Sequence, residues 1–218
     1  MSLQDDFFDD PSAFLNTHVV VQNFPSDPAG FNEGDLFYFT VHESPNAKVA
    51  NKTGAKVCWM AQSTKKAPPA LKAYWCPYAQ NDMRHTMLGN LARYVFTPTM
   101  DGCSLGIGSY NGNGGRRVTH INSARSGTAL SPNVPTTESR AQQRKMQANL
   151  LKGEHGLNVD IISPTDYQNW DLGGEINSAI KTTTWGVHDT QQDWHFFVQS
   201  YVKAGQSTYL WRGVREVF

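Results

Sequence analysis

Two residues that can act together as nucleophile and base, Cys103 and His120, stand at the ends of a glycine-rich stretch. Five glycines lie between them, in the segment SLGIGSYNGNGGRRVT. A thiolate is a nucleophile, and a nearby imidazole lowers the pKa of the thiol and carries its proton. A phosphate-binding loop, a metal site and an unreactive thiol are the alternatives for this segment.

The glycines do not match a nucleotide-binding loop. A P-loop requires a lysine and then Ser or Thr after its last glycine, and here Arg116 and Arg117 follow. The span from Gly106 to Gly112 is one residue too long for the dinucleotide fingerprint, and the segment after it has the pattern of a strand. SYNGNGG is instead typical of a turn between two paired strands, because Asn-Gly favours positive φ.

A hairpin in this segment would place Cys103 near His120 and leave room for a substrate beside Gly102. The other two cysteines, Cys58 and Cys76, have apolar or aromatic neighbours, and we expect them to be buried and structural. No two cysteines have metal-ligand spacing, and an odd count does not suggest a disulfide framework. We expect no metal site, since the remaining histidines are scattered: His85, His155, His188 and His195.

The elements that must position this pair are mostly strands. One helix is predicted from Asn81 or Asp82, weakened by Gly89, and a second from Thr136 or Thr137, ended by Gly153. We therefore expect an α+β fold with a mixed, mostly antiparallel sheet or sandwich core and a few outer helices. Segments with strand composition are DLFYFTVHES, AKVCWMAQS, LKAYWCPYA, RYVFT, RRVTHINSA, LNVDIIS and a C-terminal meander of KTTTWGVHD, DWHFFVQSYVKA and TYLWRGVREVF.

Composition limits the class of protein. The 218 residues suit a single domain spanning 1–218, with residues 1–30 as a loosely packed N-terminal arm. Nineteen basic residues balance nineteen acidic ones, which argues against a general nucleic-acid binder. No apolar run approaches the length of a membrane span, and the acidic N-terminus lacks the pattern of a cleavable signal.

The segments FTPTMDGC and VTHIN resemble the catalytic region of the glutamine deamidase toxins of the cytotoxic necrotizing factor and Burkholderia lethal factor family. In that family an L-x-G-C element carries the nucleophilic cysteine, and a histidine follows on an adjoining strand. Met100 to Cys103 corresponds to that element, with methionine in place of leucine. The Phe-Thr pair six positions before the cysteine also matches, and it implies that Thr97 orients His120.

The resemblance implies a bacterial toxin or effector that deamidates a glutamine of a host protein in the host cytosol. By analogy with the family, the target would be a Rho-family GTPase or a translation factor, and the toxin would act as a monomer without metal or organic cofactor. The implied catalytic residues are Cys103, His120 and Thr97, with Gly102 and Ser104 near the substrate and its oxyanion.

Other functions remain open from the residues alone. The same pair could catalyse transglutamination or peptide cleavage, although the signature of papain-like proteases is absent. A binding module without catalysis is the alternative from a different class, since the chain has many aromatic residues that could build a sugar- or protein-binding surface. Most tryptophans fall in predicted strands, which favours a role in the core.

Overall fold

Two β-sheets packed face to face, with helices outside them, form the fold, and this confirms the predicted α+β class. The structure is a computed structural model that describes residues 2–22, 36–64, 70–79, 82–122, 136–168, 180–189, 191 and 193–218. The elements of this part of the chain are α1 Leu3–Asp9, α2 Pro11–Thr17, β1 His18–Gln22, β2 Leu36–Glu43, β3 Lys48–Val49, β4 Lys56–Gln62, β5 Leu71–Trp75, β6 Met83–Leu88, β7 Tyr94–Phe96, β8 Ser104–Tyr110, β9 Arg116–Ile121, α3 Thr136–His155, β10 Asp160–Ile162, α4 Pro164–Gln168, β11 Ile180–His188, β12 Trp194–Lys203 and β13 Thr208–Glu216.

The larger sheet has nine strands in the order β1-β4-β2-β5-β7-β11-β12-β13-β3. Its C-terminal part is the predicted meander, in which β11, β12 and β13 pair as antiparallel neighbours. Short β7 lies in the middle of the sheet, parallel to β5 and antiparallel to β11. The residue that follows β7 therefore leaves the sheet at its centre.

The smaller sheet has four antiparallel strands in the order β10-β8-β9-β6. Apolar residues on one face of β8 and β9, including Leu105, Ile107 and Val118, join a core cluster with Val95 and Phe196 of the larger sheet. The long helix α3 covers the opposite face, where a Cβ added at Gly106 would lie 2.7 Å from Leu151. The sheet with the glycine-rich hairpin thus lies between α3 and the larger sheet.

The N-terminal helices cover the far side of the larger sheet. Phe7 of α1 packs against Phe14 of α2 and against Phe39 and Phe96 of the sheet. Residues 3–22, which the sequence suggested as part of a loose arm, belong to the packed body, and residues 23–30 of that arm lie outside the described part of the chain.

Two local predictions were wrong. The segment from residue 82 is strand β6, not a helix, because six of its residues pair with β9 and this non-local ladder outweighs a weak helical pattern. Helix α3 also continues through Gly153 to His155 and is followed by Gly156 at φ 90°. At Gly153 a Cβ would meet nothing within 4 Å, so this glycine lies on an open side of the helix.

The turn between β8 and β9 confirms the predicted hairpin. Residues 111–114 are exposed, and the Asn111 side chain accepts hydrogen bonds from the backbone N–H groups of Asn113 and Gly115. Tyr110 is anchored, because its hydroxyl accepts a hydrogen bond from the backbone N–H of Trp194 at 2.8 Å. The adaptable part of the connection is therefore residues 111–115.

We expect replacement of residues 111–115 by Asn-Gly to preserve the fold and the reactivity of Cys103. The new turn keeps Tyr110 paired with Arg116, and halving the length of a surface loop changes its closure free energy by only about 0.6 kcal/mol. The melting temperature and the rate of iodoacetamide labelling measure the two properties. Loss of thiol reactivity in a folded variant would mean that the turn itself belongs to the site.

Within the described residues, no helix is both long and apolar enough to cross a membrane.

Candidate active site

The candidate site lies between the two sheets, where Thr97 meets His120. Thr97 directly follows β7 and shares the face of Val95, which looks toward the smaller sheet. Its hydroxyl oxygen lies 2.5 Å from Nδ1 of His120, and both side chains are buried. A residue at the end of a strand of the larger sheet thus forms a hydrogen bond with a histidine of the smaller sheet.

The hydrogen bond with Thr97 determines which nitrogen of His120 is available. When Nδ1 donates to the hydroxyl oxygen of Thr97, Nε2 carries the lone pair of the neutral ring. Nε2 is buried and has no hydrogen-bond partner among the described residues. Burial lowers the pKa of His120 to about 3, so the imidazole is neutral at physiological pH. His120 is therefore neutral at rest, and Nε2 is its ring nitrogen with a free lone pair for proton transfer.

Cys103 lies directly before β8 on the same face of the sheet as His120. Leu105 pairs with His120, and residues two apart on a strand share a face, which puts Cys103 diagonal to the imidazole. Cys103 belongs to the core cluster that contains Leu105 and Val118. Its exposed fraction is 4%, and it forms no disulfide. The fold thus brings Thr97, Cys103 and His120 to one place.

Two buried residues that the sequence analysis missed hold the backbone around Cys103. The hydroxyl of Tyr167 in α4 donates to the carbonyl oxygen of Cys103 at 2.8 Å. Gln147 of α3 accepts a hydrogen bond from the hydroxyl of Ser104 at 2.6 Å and donates to the carbonyl oxygen of Gly102 at 3.3 Å. These residues follow Cys103 by 64 and 44 positions, and no local sequence signal links them to it.

The structure gives Gly102 and Ser104 different surroundings. A Cβ at Gly102 would meet nothing within 4 Å, so there is open space beside the residue that precedes the thiol. The side chain of Ser104 is bonded to Gln147 on the α3 side, away from His120, and only its backbone can contribute near the thiol.

Asn122 and Tyr78 complete the surroundings of the imidazole. The ring of Tyr78 lies 5.3 Å from that of His120, between centroids, at an interplanar angle of 57°. Nδ2 of Asn122 lies 2.5 Å from the hydroxyl oxygen of Tyr78. Asn122 follows His120 by two residues on a predicted strand, and this spacing indicates that the two side chains lie on the same face of the sheet.

The other two cysteines are buried in the cores. Burial raises the pKa of Cys58 and that of Cys76 to about 12, which keeps both as neutral thiols. Cys76 lies close to the site, and its thiol donates to the carbonyl oxygens of Val118 and Arg84 at 3.6 and 3.7 Å. Neither thiol has the surroundings of a nucleophile.

Serine substitution at Cys58 or Cys76 should change the stability of the protein but not the reactivity of Cys103. We expect Cys58→Ser to lower the free energy of unfolding by about 1–3 kcal/mol, because the new hydroxyl would be buried without a hydrogen-bond partner. Cys76→Ser should cost less, since two carbonyl oxygens can accept from the new hydroxyl. Denaturant unfolding measures the costs. Loss of Cys103 labelling in either folded variant would contradict this assignment.

The low pKa of His120 should make stability depend on pH. In the unfolded chain the imidazole has its ordinary pKa of 6.5, so it takes up a proton as the pH falls below that value, whereas the folded protein excludes the proton down to about pH 3. The contribution of His120 to the free energy of unfolding should thus be constant above about pH 7 and fall below it by up to about 1.4 kcal/mol per pH unit.

Urea unfolding of the wild type and His120→Asn at pH 3.5 to 8 tests this dependence. The difference between the two proteins isolates His120 from the other groups that titrate in this range. A difference that does not change with pH would mean that the buried imidazole binds a proton in the folded state.

The described residues contain no group of three or more His, Cys, Asp or Glu side chains placed to hold a metal ion. No protein-family model matches this chain, and no curated protein matches it significantly.

Proposed function

We propose that this protein is a glutamine deamidase that hydrolyses the side-chain amide of a glutamine in a host protein. Cys103 is the nucleophile, His120 transfers the protons, and Thr97 orients the imidazole. The proposal rests on the arrangement of these side chains together with the resemblance of FTPTMDGC and VTHIN to the deamidase toxins.

The observation that carries the proposal is the contact of 2.5 Å between the Thr97 hydroxyl and Nδ1 of His120. It joins the two sheets at a buried point, and it leaves Nε2 on the face of the sheet that Cys103 shares. A third group that orients the base is the general pattern of cysteine and serine nucleophiles.

Acylation follows from this arrangement. As the sulfur of Cys103 bonds to the carboxamide carbon, Nε2 of His120 takes the thiol proton. The resulting imidazolium then gives that proton to the amide nitrogen, the carbon–nitrogen bond breaks, and ammonia leaves. The product is a thioester between Cys103 and the substrate.

Deacylation uses the same imidazole. His120 takes a proton from water as the water oxygen bonds to the thioester carbon, and the carbon–sulfur bond breaks. The proton returns to the sulfur of Cys103, and the substrate side chain is now a glutamate. Water and glutamine are consumed, glutamate and ammonia are formed, and the enzyme is restored.

The neutral state of His120 distinguishes this site from a preformed thiolate–imidazolium pair. Because burial disfavours the charged imidazole, His120 is neutral in the resting state and takes the proton of Cys103 only as the new bond forms. Catalysis by general base in a buried site requires that the substrate side chain enter and exclude water.

The biological setting follows from the resemblance. A bacterium would deliver the protein as a toxin or effector into the host cytosol, where it would act as a monomer. The family analogy proposes a Rho-family GTPase or a translation factor as substrate.

Incubation with host-cell lysate tests the function. Mass spectrometry should detect a glutamine that becomes glutamate with the wild type and stays unchanged with Cys103→Ser. New glutamine–lysine bonds would indicate transglutamination, and new peptide termini would indicate proteolysis. An unmodified lysate with a wild-type protein that captures one component would favour the binding module.

A further inference from the structure

Asn122 is a buried polar residue next to the dyad, and the mechanism above gives it no role. We propose that Asn122 is a catalytic residue whose carboxamide donates a hydrogen bond to the oxyanion formed when the Cys103 sulfur adds to a carbonyl carbon. This inference rests on the proposed function, because it requires a nucleophilic Cys103. The ligand group is the tetrahedral oxyanion of an acyl substrate.

The register of the smaller sheet places Asn122 opposite the nucleophile. Ser104 pairs with Ile121, so one further step along the antiparallel ladder puts Cys103 opposite Asn122. Directly opposed residues hold their Cβ atoms about 4.5–5.5 Å apart. A carboxamide at that position can reach an oxygen on the carbon that bonds to the Cys103 sulfur.

The contacts of Tyr78 confirm that Asn122 lies on the same face as His120. The Tyr78 ring packs against the imidazole, while its hydroxyl oxygen lies 2.5 Å from Nδ2 of Asn122. The exposed fraction of Asn122 is 3%, and its backbone N–H donates to the carbonyl oxygen of Asp82. The bond to Asp82 thus holds the backbone of Asn122, and burial together with the Tyr78 hydroxyl holds its side chain before a substrate arrives.

The hydrogen-bond capacity of the Asn122 amide matches the role. Nδ2 carries two hydrogens, and the Tyr78 hydroxyl accepts one of them. Among the described residues, the amide of Asn122 donates no other hydrogen bond. A fixed donor in a water-poor site stabilises developing negative charge without reorganisation, which is the basis of oxyanion holes.

The side chain of Ser104 is engaged elsewhere. Its hydroxyl donates to Gln147 on the opposite face of the sheet, so it cannot serve the oxyanion. The backbone N–H of Cys103 is the natural second donor, since it lies beside the carbon under attack.

Two reactions of the same thiol separate an oxyanion donor from a residue that supports the thiol or the imidazole. Acylation by p-nitrophenyl acetate forms a carbon–sulfur bond through a tetrahedral oxyanion and releases p-nitrophenolate. Alkylation by iodoacetamide displaces iodide at a saturated carbon and forms no oxyanion. We expect Asn122→Ala to slow the Cys103-dependent acylation about 100–1000-fold and to change the alkylation rate less than about threefold.

Two further variants complete the design. Asn122→Asp keeps the shape of the side chain but has no N–H group to donate. It replaces Asn122→Ala in both assays if the alanine variant does not fold. Thr86→Val is the matched control: it removes from the same sheet a buried hydroxyl that has no hydrogen-bond partner among the described residues, and it should retain acylation within about fivefold. Subtraction of the rate of Cys103→Ser removes acylation at other residues.

Any other result would contradict the proposed role of Asn122, and each one indicates a different alternative. Wild-type acylation rates in Asn122→Ala and Asn122→Asp would exclude a donor role. An equal loss of acylation and alkylation would show that Asn122 supports the thiol or imidazole. An equal loss of acylation in Thr86→Val would show that the effect is a general consequence of changing a buried polar residue of this sheet. A wild type without Cys103-dependent acylation would overturn the proposed function as well.

Discussion

Cys103→Ser should lose at least about a thousandfold in glutamine hydrolysis while it remains folded. A serine hydroxyl holds its proton far more tightly than a thiol does, and burial, which lowers the pKa of His120 to about 3, makes the imidazole too weak a base to activate it. His120→Ala should lose a similar factor, since both proton transfers pass through Nε2. Mass-spectrometric turnover with a glutamine substrate and circular dichroism of each variant measure activity and fold.

The double variant makes this expectation specific. Cys103 and His120 act as one unit, so Cys103→Ser combined with His120→Ala should be no slower than the slower single variant. Cys58→Ser is the matched cysteine control and should keep full turnover. Substantial turnover by Cys103→Ser, or multiplicative losses in the double variant, would reject the dyad.

Thr97→Val should lower kcat about 10–100-fold with little change in KM. Valine keeps the shape of threonine but cannot accept the Nδ1 hydrogen, so the imidazole is free to rotate and to take the wrong tautomer. Thr97→Ser retains the hydroxyl and should recover most of the rate. The iodoacetamide reactivity of Cys103 should fall in parallel with kcat, because the same base serves both reactions.

Thr184→Val is the control for a loss of packing. Thr184 is buried in β11, and its hydroxyl has no hydrogen-bond partner among the described residues. Replacement there removes a buried hydroxyl that makes no hydrogen bond to His120. If Thr97→Val and Thr184→Val have equal effects on kcat, the Thr97 contact is structural, and another group must orient the imidazole.

Local signals determined most of the strands correctly. Alternating apolar residues and β-branched side chains predicted β2, β4, β5 and the C-terminal meander, because such residues suit a pleated, half-buried surface. The segment of β6 was predicted as a helix for a physical reason. This strand pairs with β9, about 33 residues away in sequence, and such long-range pairing produces no local sequence pattern. The glycine at 153 was misread because helix α3 gains more from packing on the smaller sheet than one glycine costs.

The sequence by itself determined the chemistry that is possible at the site. The residue types of Cys103 and His120, and the Asn-Gly turn between them, were sufficient to predict a hairpin with both on one face. Local chain geometry explains this success, since a turn sets the register of its two strands and the register sets the facing side chains.

Only the tertiary structure decided how that pair is held. Thr97 directly follows a strand of the larger sheet and His120 lies in the smaller sheet, so their contact exists because the two sheets pack together. The same packing buries the imidazole and keeps it neutral. Helices α3 and α4 bring Gln147 and Tyr167 to the backbone around Cys103 from positions far along the chain. Burial and contacts between separate elements depend on the whole fold, and for that reason spacing along the chain could not reveal them.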